Sequence, residues 1–163
     1  MTHPIPPVFD ENSKILILGS FPSVKSREEM FFYGHPQNRF WRVLASVFDS
    51  KLPQTVEEKK IFLLSNRIAL WDVLASCDVT GSADSSIKNT VPNNIKIITD
   101  TSPIRRIFLN GKTAEKYYNK YLKSYLLIDA VCLPSTSPAN AAKSLDTLCK
   151  AWSVLKEAVT GDA

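Results

Sequence analysis

Two short loops of matching character stand out: Gly19-Ser20-Phe21-Pro22-Ser23 and Leu133-Pro134-Ser135-Thr136-Ser137-Pro138-Ala139-Asn140. Each follows an apolar run and offers hydroxyls and backbone N–H groups, the donors that phosphate oxygens require. Lys25, Arg27, Arg39 and Lys143 flank these loops and could neutralise phosphates without reading anything else, although single basic residues are commonly solvated surface charges. A third segment, Phe32-Tyr33-Gly34-His35-Pro36-Gln37-Asn38-Arg39-Phe40-Trp41, crowds aromatic, amide and basic groups into a turn that opens onto a helix. The plain alternative for the loops is that Pro and Ser merely end strands.

The elements that must position these segments follow from hydrophobic periodicity. Ile15-Leu16-Ile17-Leu18, Ile68-Ala69-Leu70-Trp71, Arg105 to Leu109 and Leu126 to Cys132 read as buried strands. Between them, helical spacing begins near Pro36 and carries Phe40, Trp41, Leu44, Val47 and Phe48, and Thr55 with Glu58 forms a capping box. A short helix is expected over 95–99, a tyrosine-rich one over 114–122, and an amphipathic C-terminal helix from Asn140. The Ser-, Asn- and Asp-rich stretch 76–94 reads as a long excursion. Alternating strands and helices predict one α/β domain over 1–163, three-layered, with a four-stranded parallel sheet and its ligands beyond the carboxyl ends of the strands. There lie Gly19 to Ser23, Trp71-Asp72, Asn110-Gly111 and Leu133 to Asn140.

A length of 163 residues with 44% hydrophobic content can bury a core without disulfides. Cys77, Cys132 and Cys149 show no C-x-x-C spacing and there are two histidines, so no metal set is expected. No segment resembles a signal peptide or a membrane span, which suggests a cytoplasmic protein without membrane contact. A net charge of +4 favours an anionic partner only weakly.

The Phe32 to Trp41 segment, the two serine-proline loops and Leu70-Trp71-Asp72-Val73 together resemble the uracil-DNA glycosylase superfamily, most closely its hypoxanthine (deoxyinosine) branch, over roughly residues 14–157. The resemblance implies a monomeric enzyme without cofactor that flips deaminated bases out of DNA and hydrolyses the N-glycosidic bond in base excision repair. Relatives often carry a water-activating Asn or Asp in the first-strand loop, and Gly19 to Ser23 has neither. In the hypoxanthine branch that role belongs to an Asn in a segment resembling Pro36 to Trp41, so the resemblance assigns it to Asn38, in the first turn of its helix, whose carbonyl oxygen could orient a water toward an oxocarbenium-like sugar. The same Asn could simply cap the helix.

By the same resemblance Tyr33 stacks on the flipped base and Asp72 accepts an N–H at its edge, while the leaving base would be stabilised by backbone N–H groups around Ser20 and Phe21, by Ser135, or by protonation of the purine ring. Pro22, Ser23, Lys25, Arg39, Pro134, Ser135, Thr136, Ser137 and Lys143 would meet the DNA. Tyr33 could equally be core, and Asp72 a helix cap or a partner of Arg42 or Arg67. Leu133 replaces a histidine that donates to the leaving base in many relatives, which disfavours uracil. No lysine falls inside the motifs, so strand scission through a Schiff base is not expected.

Two other readings compete. The sheet alone would suit a non-catalytic nucleotide- or small-molecule-binding module, although no G-x-G-x-x-G or Walker loop follows a strand. A serine hydrolase using Ser20 or Ser135 would lack the G-x-S-x-G elbow and have His35 as a solitary base.

Overall fold

The structure, a computed structural model, describes residues 2, 4–78 and 87–161. Four strands form the central sheet: β1 (Ile15–Gly19), β2 (Ile68–Asp72), β5 (Arg106–Asn110) and β6 (Ala130–Leu133), in the order β2-β1-β5-β6 with every pairing parallel. Successive strand residues point to opposite faces, and all five residues of β1 and of β2 are buried, so helices or loops cover the sheet on both sides. This is the expected three-layer α/β arrangement.

The connections explain the rest. α1 (Val24–Glu29) and α2 (Phe40–Val47) follow β1, and α3 (Val56–Ser65) leads into β2. α3 starts at the expected capping box: Thr55 accepts from the Glu58 N–H at 3.0 Å, and the Glu58 carboxylate accepts from the Gln54 N–H at 2.8 Å. Beyond β2 the excursion is not structureless. β3 (Leu74–Asp78) and β4 (Lys88–Pro92) pair antiparallel as a two-stranded sheet, and 79–86 of that excursion lie outside the described residues. α4 (Lys96–Thr99), α5 (Lys112–Tyr121), α6 (Lys123–Leu126), α7 (Leu145–Trp152) and α8 (Val154–Thr160) complete the chain.

Three expectations need correction. The helix expected from Pro36 starts at Phe40, which leaves Asn38 in the preceding turn, and α1 was not foreseen. The fourth strand is Ala130–Leu133, because Leu126 ends α6 and Leu127 takes a left-handed conformation with its side chain 85% exposed. The C-terminal helix starts at Leu145 and is broken at Ser153. The proline-rich N-terminus forms no helix or strand of its own and runs along the outer edge of β2: Val8 and Leu70 exchange two backbone hydrogen bonds, and Trp71 Nε1 donates to the Ile5 carbonyl.

The sheet order reverses between β1 and β5, so a crevice opens at the carboxyl ends of those two strands. Residue registers bring Gly19 beside Asp72 and Asn110 beside Leu133 at that edge.

Candidate active site

A cavity of about 340 Å3 occupies this crevice. Ser20, Phe21, Pro22 and Ser23 form one wall, Tyr33 and Asn38 a second, and Ser135, Thr136 and Ser137 a third, with Asp72 and Asn110 at the strand ends. The separate sequence segments therefore meet in one place. Lys25, Arg39, Pro134 and Lys143 lie outside the cavity lining.

Close packing sets the floor. Gly19 can carry no side chain: a Cβ there would collide with Asp72 Oδ1 and stand 2.8 Å from the Tyr33 hydroxyl. Asp72 is only 3% exposed, at the end of a strand followed by another strand, so it caps no helix, and Arg67 stands before the opposite end of β2. Asn93, which sequence reasoning missed, donates from Nδ2 to the carbonyls of Asp72 and Leu74 at 2.9 and 3.2 Å and so braces the turn that carries the carboxylate.

Tyr33 adopts a positive φ of 54° at the turn. Its ring stacks on Phe40 with centroids 4.0 Å apart and planes at 21°, which occupies one face and leaves the remaining half-buried ring to the cavity. Its hydroxyl is buried with no partner in hydrogen-bonding geometry among the described residues. Burial, and after it the Asp72 carboxylate, push the phenol well above its ordinary range, with the Asn110 side chain offsetting part of the rise. The group stays protonated at neutral pH. Phe40 in turn meets Trp152 edge-on at 5.9 Å, and Trp152 Nε1 donates to the Pro134 carbonyl at 2.9 Å. One aromatic column thus ties the Tyr33 ring to the root of the second serine-proline loop.

Asn38 combines the two roles left open by its sequence context. Its Oδ1 accepts from the Phe40 N–H at 2.9 Å, which caps α2, and also from the Thr136 hydroxyl at 2.9 Å. Two donors therefore commit the oxygen to the fold, whereas the resemblance in sequence implies that it orients a water. Its Nδ2 has no protein partner among the described residues and is left to the cavity.

The loop residues divide in a similar way. Thr136 is fully buried, with its hydroxyl spent on Asn38, so it makes no phosphate contact. Ser23 caps α1 through the Ser26 N–H at 3.1 Å and donates to the Ser26 hydroxyl, which commits its side chain to the start of the helix. The Arg39 guanidinium donates to the carbonyls of Ser137, Asn140 and Lys143, so its charge clasps the loop rather than reaching outward. Ser135 and Ser137 accept from the N–H groups of Ser137 and Ala139, both at 3.1 Å, and keep their own O–H groups to donate. Gly111, at φ 96°, lets Ser135 approach: a Cβ there would lie 3.0 Å from Ser135 Cβ. Lys25 sits 3.6 Å from the Glu29 carboxylate, and Lys143 is exposed beside the clasped loop.

Leu133 is buried and offers no donor. His35 lines the cavity with Nδ1 accepting from the Gln37 N–H at 3.1 Å, and neither Ser20 nor Ser135 is hydrogen-bonded to it, which removes the serine-hydrolase arrangement. Among the described residues no cluster of three or more His, Cys, Asp or Glu could hold a metal, and no helix is long and apolar enough to cross a membrane. Asn110, named only as a strand end, proves to face Thr136 and the Tyr33 hydroxyl; its signal was a polar residue closing an apolar run.

Comparison with known proteins places this cavity in a lineage. Residues 6–156 match the model of the uracil DNA glycosylase superfamily. A protein named hypoxanthine DNA glycosylase from Methanosarcina acetivorans is 39% identical over 137 residues, 83% of this chain and 85% of the relative. One of the same name from Methanosarcina barkeri is 39% identical over 114 residues, 69% of this chain and 72% of the relative. The solution structure of a candidate uracil DNA glycosylase from Methanosarcina acetivorans superimposes with a TM-score of 0.83 at 34% identity, covering 97% of this chain and 99% of that one. With this breadth of match, and a cavity at the sheet's reversal point, the chain belongs to the uracil DNA glycosylase superfamily.

Proposed function

We propose that this protein is a monofunctional DNA glycosylase that excises deaminated bases, hypoxanthine foremost. The observation that carries the proposal is the meeting, in one crevice, of the Tyr33 ring, the buried Asp72 carboxylate and the free Asn38 amide nitrogen. The two relatives named hypoxanthine DNA glycosylase support the choice of substrate.

A base flipped from the duplex stacks on the Tyr33 ring. Hypoxanthine and uracil both present a ring N–H beside a carbonyl, and the Asp72 carboxylate accepts that N–H. Adenine and cytosine place a bare nitrogen there, which a carboxylate repels. The Asn38 Nδ2 donates to one lone pair of a water and so aims the other at C1′ as the glycosidic C–N bond breaks. The bonding pair leaves with the base, which takes up a proton from solvent, while the added water gives up one of its protons to solvent to leave the C1′ hydroxyl. Because Leu133 supplies no donor, a purine that can take a proton on its imidazole ring departs more readily than uracil. No lysine lines the cavity among the described residues, which supports hydrolysis without Schiff-base strand scission. The Ser135 and Ser137 hydroxyls and the exposed Lys143 meet the DNA backbone.

Rates on otherwise identical duplexes carrying hypoxanthine, xanthine or uracil test the reading. Hypoxanthine is expected to be released fastest. The Asp72→Asn variant, whose amide can rotate to present a donor, is expected to discriminate less against adenine. Normal release of deaminated bases by that variant, with adenine still ignored, would assign base reading to another group.

A further inference from the structure

Two backbone N–H groups, the Asn110 side-chain amide and one hydroxyl determine which end of the Asn38 side chain meets the substrate. The Thr136 N–H donates to Asn110 Oδ1 at 3.1 Å, which fixes the Asn110 amide with its Nδ2 toward Thr136. That Nδ2 donates to Thr136 Oγ1 at 3.0 Å, so the hydroxyl proton must point elsewhere, and it points to Asn38 Oδ1 at 2.9 Å. The Phe40 N–H donates to the same oxygen at 2.9 Å. With two donors on Oδ1, the Asn38 amide cannot turn over without leaving both unmatched, which inside a protein costs more than the bonds themselves. The Arg39 N–H donates to the Thr136 carbonyl at 3.1 Å, so the turn holding Asn38 and the loop holding Thr136 are joined by backbone as well.

Thr136 is closed to solvent and its hydroxyl is shared between Asn110 and Asn38, so a valine there would keep the volume and leave those two amides short of a partner. We infer that Thr136, its hydroxyl oriented by Asn110, is a positioning residue for the reaction: it locks the catalytic amide with Nδ2 facing the cavity. This rests on the reading of Asn38 as the water-holding amide.

The relay acts through Asn38 alone, and that gives it a signature distinct from a packing role. Single-turnover excision and duplex affinity would be measured for wild type, Thr136→Val, Thr136→Ser, Asn38→Ala and the Asn38→Ala/Thr136→Val double variant. Thr136→Val is expected to slow excision about tenfold, the rate equivalent of one neutral hydrogen bond, with affinity unchanged, and Thr136→Ser to restore it. The double variant is expected to be no slower than Asn38→Ala alone, because residues acting as a unit are not additive. Wild-type excision by Thr136→Val, or a double variant slower than Asn38→Ala by the full factor of Thr136→Val, would overturn the inference. If Asn38→Ala itself excised normally, the assignment of Asn38 would fall and the relay with it, a result separable from the first two.

Discussion

Asn38→Ala is expected to slow single-turnover excision of hypoxanthine at least about a hundredfold, roughly 2.7 kcal/mol, while duplex affinity stays near that of the wild type. The side chain gives two things at once. Its oxygen caps α2 and holds Thr136, and its nitrogen is the free donor in the cavity. Loss of the cap costs about 1 kcal/mol of stability, so the variant remains folded and the rate loss is chemical. Asn38→Asp separates the two mechanisms for this residue. A carboxylate keeps the acceptor for Phe40 and Thr136 but presents a second oxygen where the amide presents N–H groups. If the donor matters, Asn38→Asp falls nearly as far as Asn38→Ala. A variant as fast as the wild type would instead return the role to an oxygen that polarises the water.

Trp152→Ala is expected to have the largest effect on stability. Trp152 is fully buried, meets Phe40 edge-on and holds the Pro134 carbonyl, so truncation opens a cavity between α7 and α2 and frees the start of the loop. Large aromatic-to-alanine changes in cores cost about 3–5 kcal/mol. For a chain of this size that lowers the melting temperature by roughly 10 °C, measurable by calorimetry. Trp152→Phe keeps the edge contact and loses the N–H, so it is expected to recover most of the stability while excision remains impaired. Full excision by Trp152→Phe would separate the loop's position from the aromatic column.

How far these features could be read from sequence depended on where their determinants lie. The strands β1 and β2 announced themselves because both faces are covered and their residues are uniformly apolar. The run Leu126 to Ile128 misled for the same reason: it is apolar yet lies outside the sheet, with Leu127 turned to solvent. The hairpin of β3 and β4 was hidden by its polar, partly exposed residues, such as Ser76, Lys88 and Asn89. α1 was hidden because Lys25, Arg27, Glu28 and Glu29 leave almost no apolar stripe.

In the site, residues that end strands or interrupt apolar patterns were visible, and their partnerships were not. Asn38 and Tyr33 were legible through their crowded segment, and Asp72 through its place after an apolar run. That Asn38 turns its nitrogen rather than its oxygen to the cavity depends on Thr136, 98 residues away, and on Asn110, 26 residues from Thr136. No local pattern encodes such a contact. The inward turn of Arg39 has the same origin, since its carbonyl partners are set by the path of a distant loop.

The most direct measurement is product analysis after incubating the protein, in excess, with a duplex containing a single deoxyinosine. Free hypoxanthine is expected, together with a strand that stays intact until alkali breaks it at the abasic site. An unchanged duplex at protein concentrations that saturate DNA binding would contradict the proposed activity.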